Sequence, residues 1–416
     1  MILINRRRLL DRFLRYVKVD TAAVPDSPSY PSSAGQTELG RLLLAELQAM
    51  GATDAHQDEN GLVWATIPAT VTGPAPTILL NAHVDTSPEA SGRNVQPQII
   101  ENYGGGDIPL LHGGRMISEA DCPALTGLIG HTLVVTDGTT LLGGDDKAGV
   151  AVIMELAEHF LEHPQLPHGP VRILFTCDEE IGKGTAKVDL HQVGAVAGYT
   201  LDGSGAGEIE AENFSADGLT VKAIGRNIHP SIGKGRMVNS IRALSRLISA
   251  LPQDSLSPET TEAREGFIHP YMLSGSVAEA ECRMLLRDFE TAKLDKYEAI
   301  VRSAADQIER ETPGLKIEVT RTRQYRNMAD ALARHPLVVE LADRAFQLLD
   351  RPYKHGSIRG GTDGAMLSEM GLPTPNLSVG QHNIHSELEF VSLDEMGAAL
   401  EHLVVLLDLW QQFGRA

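Results

Sequence analysis

Residues 140–160 read TLLGGDDKAGVAVIMELAEHF, with Asp145 and Asp146 side by side between a glycine pair and a lysine. The run just before them, TLVVTDG, is almost continuously apolar, as in a strand buried on both faces. The residues after them place Val150, Ile153, Met154, Ala157 and Phe160 at helical spacing. The two aspartates therefore stand where a strand hands over to a helix. Like charges there repel one another, and burial makes both ionised forms costly. A single Asp at a helix start is most often a cap, in a place that favours negative charge. A short carboxylate on a glycine turn equally suits a fixed point between two metal ions. On the residues alone, either Asp145 or Asp146 can fill that place.

Outward from this junction the strand pattern recurs in TILLNAHVDT, VRILFTCDEE and AGYTLDGSG. Strands of this texture alternating with helical segments predict an α/β sheet. Near residue 213 the texture changes. GLTVKAIGR reads as a strand, MVNSIRALSRLISALP as a helix stopped by Pro252, and GFIHPYMLSGSVAEAECRMLLRDF as two strands with a turn. LDKYEAIVRSAADQIERETPG is helical and LKIEVTRTRQY again a strand, giving the order βαββαβ. After residue 327 the α/β texture resumes and ends in the helix SLDEMGAALEHLVVLLDLWQQF. The expectation is a large α/β domain formed by residues 1–212 and 328–416, with a smaller α+β domain, 213–327, inserted into it. Internal repeats and low-complexity segments are absent.

The chain has 416 residues, 42% hydrophobic and 22% charged, which is enough for an ordinary core. No apolar run is long enough to span a membrane. The N-terminus MILINRRRLLDRFLRYVKVD is basic and reads as an amphipathic helix, lacking the apolar block and cleavage site of a signal peptide. Cys122, Cys177 and Cys282 are far apart and form no CxxC pair, which argues against a disulfide framework or a cysteine zinc site. A reducing cytoplasm suits them. The net charge of −19 disfavours nucleic acid and anionic membranes as partners and favours cationic ones, such as a free amino terminus.

Five segments put acids or histidines after apolar strands or in glycine turns: NAHVDTSP (His83, Asp85), GGDDKAG (Asp145, Asp146), CDEEIGKG (Glu179, Glu180), TLDGSGAGE (Asp202) and HNIHSELEF (His382, His385). In an open α/β sheet, ligands gather outside the carboxyl ends of the strands, so remote segments can converge on one crevice. Carboxylates collected there need a cation. Histidines among them point to zinc, whereas an all-oxygen set would suggest Mg²⁺ or Ca²⁺. His83 and Asp85, at i and i+2 on a strand, share one face, and the carboxylate can orient the imidazole. Of two adjacent glutamates, one can bind metal while the other takes a proton from metal-activated water. Asp178 beside them reads as part of a solvated acidic loop. His56, His131, His159 and His191 fall in no constellation and read as surface residues. Asp202 occupies the place of the first glycine of a GxSxG elbow around Ser204, and Gly184 follows Lys183 where a phosphate loop needs Ser or Thr.

These segments, in this order, resemble the M20 family of di-zinc metallopeptidases, and within it the tripeptide aminopeptidases. The likeness extends through NVQPQIIENYGGGDI, TDGTTLLGGDDKAGVA, NIHPSIGKGRMVN, LLRDF and IRGGTDGAMLSEMGLPTPNLSVG, and so over nearly the whole chain. The resemblance implies a mixed-sheet zinc-exopeptidase catalytic domain with a ferredoxin-like lid and dimerisation domain. It implies two Zn²⁺ per subunit, replaceable by Mn²⁺ or Co²⁺: His83 and Asp202 on one, Glu180 and His385 on the other, and Asp145 bridging. Asp85 would orient His83, and Glu179 would be the general base. His229 would help hold the oxyanion, and Arg287 and Arg359 would grip a substrate carboxylate. The implied activity is release of the N-terminal residue from short peptides, tripeptides especially, by a cytoplasmic homodimer. A dipeptidase, an N-acyl amino acid deacylase and a non-catalytic peptide-binding homologue are the alternatives. One stretch departs from the pattern: Ser386, Glu387 and Leu388 stand where the family has a Gly-Lys-His-like run, so a basic residue has become acidic and substrate preference is open.

Overall fold

Three of the apolar runs lie side by side with a fourth strand, Asn376–His382, all parallel. The computed structural model describes residues 4–52 and 54–413. Val171–Thr176, Ile78–His83, Ala197–Ser204 and Asn376–His382 are consecutive in the sheet, all parallel. Ile78–His83 and Asn376–His382 are buried at every position. The first is apolar but for Asn81 and His83, as an internal parallel strand is expected to be, whereas the second, NLSVGQH, buries Asn376, Ser378, Gln381 and His382 among its apolar residues. Antiparallel strands complete the sheet. Val63–Ile67 pairs with Val171–Thr176 on one side. Phe390–Ser392, Leu133–Val135 and Gln98–Ile100 follow Asn376–His382 on the other. The sheet is thus mixed, as expected.

The helix Gly144–Glu162 lies against Ile78–His83 and Ala197–Ser204 and also touches the helices Arg6–Tyr16 and Leu393–Phe413. It is almost wholly buried, so its amphipathic signal is weak and its core contacts come from all round. Asp145 and Asp146 open it with non-helical backbone, φ/ψ of −80/106° and −120/35°, and the peptide between them is cis.

Contacts divide the chain into two compact units. The larger holds the mixed sheet. The smaller comprises Glu212–Ala329 together with Ser357–Gly361. Its strands lie in the order Phe267–Gly275, Glu279–Asp288, Ser215–Ile224, Lys316–Tyr325, all antiparallel. In Glu279–Asp288 burial alternates strictly, so one face of this sheet meets a core. The helices Ser240–Ala250 and Thr291–Glu311 supply Leu244, Leu247, Leu294 and Val301 to it. The order βαββαβ read from the sequence is the order found, with the sheet arrangement of a ferredoxin-like sandwich.

An ion network ties the helix that begins at Asp145 to the N-terminal helix. Glu155 is fully buried. It receives two hydrogen bonds from Arg8, both 2.8 Å, and one from Arg12, itself 5% exposed. Glu155→Ala removes the buried partner of two guanidinium groups and leaves Arg8 with Glu158 and Glu162, and Arg12 with Glu46 and Glu158. Because both cations keep other carboxylates, the expected cost is that of lost charge-assisted hydrogen bonds, about 1.5–3 kcal/mol. The half-exposed Glu162, which also receives Arg8, should cost under about 1 kcal/mol on the same change. Urea midpoints of the two variants check the difference.

His402 supplies a pH test. It is buried, stacks on Phe346 at 3.7 Å between ring centres, and donates from Nε2 to the Ala342 carbonyl at 2.9 Å. Burial, with the Arg351 charge, pushes its pKa down to about 4 against the pull of that carbonyl. The unfolded chain takes up this proton near pH 6.5, and the folded chain does so only near 4. Stability is therefore full above 6.5 and falls as the pH drops between the two values. At pH 5 the loss should be about 2 kcal/mol. His402→Gln should abolish that share of the acid sensitivity, measured as urea midpoints of chelator-treated protein at pH 7.5 and 5.

His159, read from the sequence as a surface residue, is buried, because its helix is enclosed on all sides. His131 is half-buried and hydrogen-bonds Ser392 at 2.9 Å, while His56 and His191 are exposed.

Candidate metal centre

Because the four central strands are parallel, their carboxyl ends share one edge of the sheet, where an α/β fold binds ligands. His83 ends Ile78–His83. Glu179 and Glu180 follow Val171–Thr176. Asp202 lies near the end of Ala197–Ser204, and His385 follows Asn376–His382. Asp145 reaches the same edge from the start of its helix. Two groups of three donors result, His83–Asp145–Asp202 and Asp145–Glu180–His385, with the donor atoms in each within 4.8 Å of one another. Asp145 belongs to both. Its Oδ1 is 2.9 Å from His83 Nε2 and its Oδ2 3.2 Å from His385 Nε2. Asp202 Oδ1 lies 3.6 Å from His83 Nε2, and Glu180 Oε2 3.0 Å from His385 Nε2.

The neighbouring residues hold these donors in place. His83 Nδ1 meets the Asp85 carbonyl at 3.1 Å and Asp85 Oδ1 at 3.4 Å, which leaves Nε2 pointing into the cluster. The same Asp85 carboxylate accepts the backbone N–H groups of Glu179 and Glu180, each at 3.1 Å. One residue thus orients the histidine and pins the turn carrying both glutamates. His385 Nδ1 faces Glu89 Oε2 at 3.3 Å. Asp146 turns away from the cluster. Its carboxylate accepts the N–H of His83 at 3.2 Å and that of Gly149 at 3.1 Å, so it behaves as a cap. Position 149 must be glycine, since a Cβ there would lie 2.0 Å from the Leu201 carbonyl oxygen.

Asp178 is not part of a solvated loop. It is fully buried, accepting from the Ser32 N–H at 2.7 Å, from Gln36 Nε2 at 2.7 Å and from the Ser32 hydroxyl. Its role is to anchor the start of the Glu179 turn to the N-terminal segment. His382, the other histidine of its segment, stacks on Phe390 and pairs with Glu395 at 2.6 Å, away from both donor groups.

The electrostatics are those of an overcrowded acidic pocket. Burial pushes Glu180 up to about 8, with the charge of Asp145 adding to it, and pushes Asp202 up to about 6 in the same way. Glu179 is raised well above the ordinary range, first by burial and then by the charges of Asp202, Asp363 and Glu180, against the pull of His83. Burial also works to raise Asp145, yet hydrogen bonds with His385 and His83 outweigh it and hold that carboxyl below its usual value. His385 rises to about 11, because Asp145 and Glu180 overcome the effect of burial. Glu180 Oε1 is buried with no hydrogen-bond partner among the described residues. A cation of charge two or more, held by imidazole and carboxylate donors, would relieve each of these conflicts. The donor set therefore fits a metal, and nitrogen among the donors favours zinc-like over purely oxygen-seeking ions.

The sequence reading missed several residues here. Glu389, four residues after His385, is buried and bonds the backbone around Asp145. Asp363, in the TDG of the segment 358–380, is buried, accepts the Thr176 hydroxyl at 2.6 Å, and is pushed up to about 7 by burial. Gln381 Nε2 donates to Asp202 Oδ1 at 3.2 Å and to its carbonyl at 2.8 Å. Glu389 and Asp363 lie in quoted segments, but an acid at a helix start or strand end reads locally as a cap; Gln381 falls between two of those segments.

Glu387, the acidic residue of the departing stretch, pairs with Arg115 at 2.7 Å, so its charge is met by a cation from the hairpin region 108–117. The other three candidates belong to the smaller unit. His229 is exposed, with Nδ1 2.7 Å from the Ser231 hydroxyl. Arg287 Nη1 donates to the Arg359 carbonyl at 3.3 Å. Arg359 donates to the carbonyls of Ala263, at 2.7 Å, and Thr261, at 3.3 Å, and lies over Phe214, with 5.1 Å to the ring centre.

Comparison with known proteins identifies the family and the fold. Residues 131–408 match the model of peptidase family M20/M25/M40. Peptidase T of Geobacillus thermodenitrificans (strain NG80-2) is 43% identical over 408 residues, 98% of this chain and 99% of that protein. Peptidase T of Edwardsiella ictaluri (strain 93-146) is 44% identical over 407 residues, 96% and 97% of the two chains. Among solved structures, the aminopeptidase PepT of Bacillus cereus ATCC 10987 superposes with a TM-score of 0.76 at 24% identity, covering 98% of this chain and 99% of that one. A Bacillus subtilis protein described as a dinuclear metal binding peptidase from the M20 family superposes with a TM-score of 0.64 at 14% identity, covering 98% of both. The structural likenesses establish the shared fold. The family match and the identity over almost the full length carry more: this chain belongs to peptidase family M20/M25/M40.

Proposed function

We propose that the chain is a metal-dependent aminopeptidase that removes the N-terminal residue from short peptides, tripeptides foremost. Near-full-length identity of 43–44% to proteins named Peptidase T supports the activity class. The observation that carries the metal centre is the division of Asp145, with one oxygen toward His83 and the other toward His385. We assign His83 and Asp202 to one Zn²⁺, Glu180 and His385 to a second, and Asp145 to both; Mn²⁺ or Co²⁺ are expected substitutes. When bound, such ions supply a water of lowered pKa and a polarised scissile carbonyl.

The remaining work falls to the chain. Asp85 keeps the Nε2 of His83 free for metal and holds the Glu179 turn by backbone hydrogen bonds. Glu179 accepts the proton of the attacking water on its carboxylate and returns it to the departing amine. Crowding by neighbouring acids and burial strengthen its hold on that proton between the two steps. On the family resemblance alone, His229 is assigned to the oxyanion, Arg287 and Arg359 to a substrate carboxylate, and the smaller unit to a lid and dimerisation role. A homodimer in the cytoplasm is proposed; no helix of the described residues is long and apolar enough to cross a membrane.

The test offers a tripeptide, a dipeptide and an N-acetylated tripeptide to zinc-loaded protein and follows products by mass spectrometry. Release of the N-terminal residue from the free tripeptide, with the acetylated peptide untouched, is expected. Cleavage of the blocked peptide would replace the aminopeptidase reading with a deacylase or endopeptidase.

A further inference from the structure

We propose that Glu389 is a positioning residue: its carboxylate fixes the loop bearing Asp145 and thereby places the one carboxylate that both donor groups share. The inference rests on the reading of Asp145 as the common ligand.

Glu389 is 1% exposed, and its carboxylate meets the backbone of residues 142–145. Its Oε2 accepts the N–H of Leu142 at 2.7 Å and that of Gly143 at 2.8 Å, and its Oε1 accepts the N–H of Asp145 at 2.9 Å. Three backbone donors around one carboxylate set the direction of the chain just before the Asp145 side chain departs from it. Space is equally constrained. A Cβ on Gly144 would lie 3.1 Å from Glu389 Oε1 and 2.5 Å from Val391 Cγ1, so the loop can close on the carboxylate only with glycine at 144. The glycine pair that precedes the aspartates thus answers to an acid more than 240 residues away.

The same short segment holds His385. Ser386 stiffens the connection: its hydroxyl donates to the Asn383 carbonyl at 2.7 Å and accepts the Leu388 N–H at 3.2 Å, and the Glu389 N–H donates to the Ser386 carbonyl at 3.2 Å. One turn therefore carries a ligand of one group and the clamp on the ligand of both. An amide cannot replace the carboxylate. Three N–H donors engage both oxygens, and the NH₂ of glutamine would oppose at least one of them, donor against donor.

The experiment titrates chelator-stripped protein with zinc against a chromophoric chelator, for wild type, Glu389→Gln and Asp145→Ala. Both zinc equivalents of Glu389→Gln should weaken together by about 10–100-fold, the usual effect of losing a partner behind a ligand. At saturating zinc, kcat should fall while KM stays within about twofold. Gly144→Ala, which forces the loop away from Glu389 with the acid still present, should show the same paired weakening and stands in if the glutamine variant fails to fold. Wild-type affinity at both sites, weakening of only one, or a lower thermal midpoint with unchanged zinc binding would each overturn the proposal. Unchanged zinc binding in Asp145→Ala would instead remove the metal reading on which it rests.

Discussion

Replacing Glu179 by alanine should lower kcat by about 10²–10⁴-fold, the range for a positioned general acid–base, while bound metal stays at the wild-type level. Two features of the site separate these outcomes. Glu179 is not among the donors of either three-residue group, so its loss removes no proposed ligand. The turn is held through backbone N–H groups of residues 179 and 180 on Asp85, and alanine keeps both. Glu180 should therefore remain beside His385. Elemental analysis and single-turnover kinetics on the same preparation check the pair of expectations. Near-normal kcat would show that another group moves the proton; a loss of metal would make Glu179 a ligand.

Asp145→Ala should have the opposite signature, because it removes a donor from both groups. Each is left with two protein donors, His83 with Asp202 and Glu180 with His385. The effect on metal affinity should exceed the about 10–100-fold typical of an outer partner, and both equivalents should be affected. Glu389 would still hold the backbone turn, so the fold should persist, with an unchanged circular dichroism spectrum beside a fall in zinc content. Unchanged stoichiometry would remove the bridging role. Compared directly, the two variants separate proton transfer from metal binding.

Much of this was legible before any coordinates. Apolar runs of near-continuous burial, such as Ile78–His83, announce themselves as internal parallel strands. The βαββαβ order of residues 215–325 follows from period and turn residues alone. The five chemical segments were visible because acids or histidines recur at strand ends and glycine turns in an order that resembles the M20 family; taken singly, each also reads as a cap or a solvated loop. Ser357–Gly361 was not legible as part of the smaller unit, since so short a piece has no periodicity of its own. Asp178 was misread for a related reason. Its burial depends on Ser32 and Gln36, more than 140 residues away, and its own neighbours in sequence are the polar ones of a loop.

What the sequence by itself determined is local in origin: which stretches are strands or helices, where each ends, and which side chains able to bind metal or protons stand at those ends. Period 2 and period 3.6 are properties of a few consecutive residues, and they survive in any tertiary arrangement. What only the tertiary structure decided is which atoms face one another. Asp145 sets an oxygen against each histidine while Asp146, its immediate neighbour, turns to the N–H groups of His83 and Gly149. Glu389 closes on the glycine turn across more than 240 residues. Those pairings follow from strand order and crossovers, which depend on how whole layers bury their surfaces, and no short window of sequence contains that information.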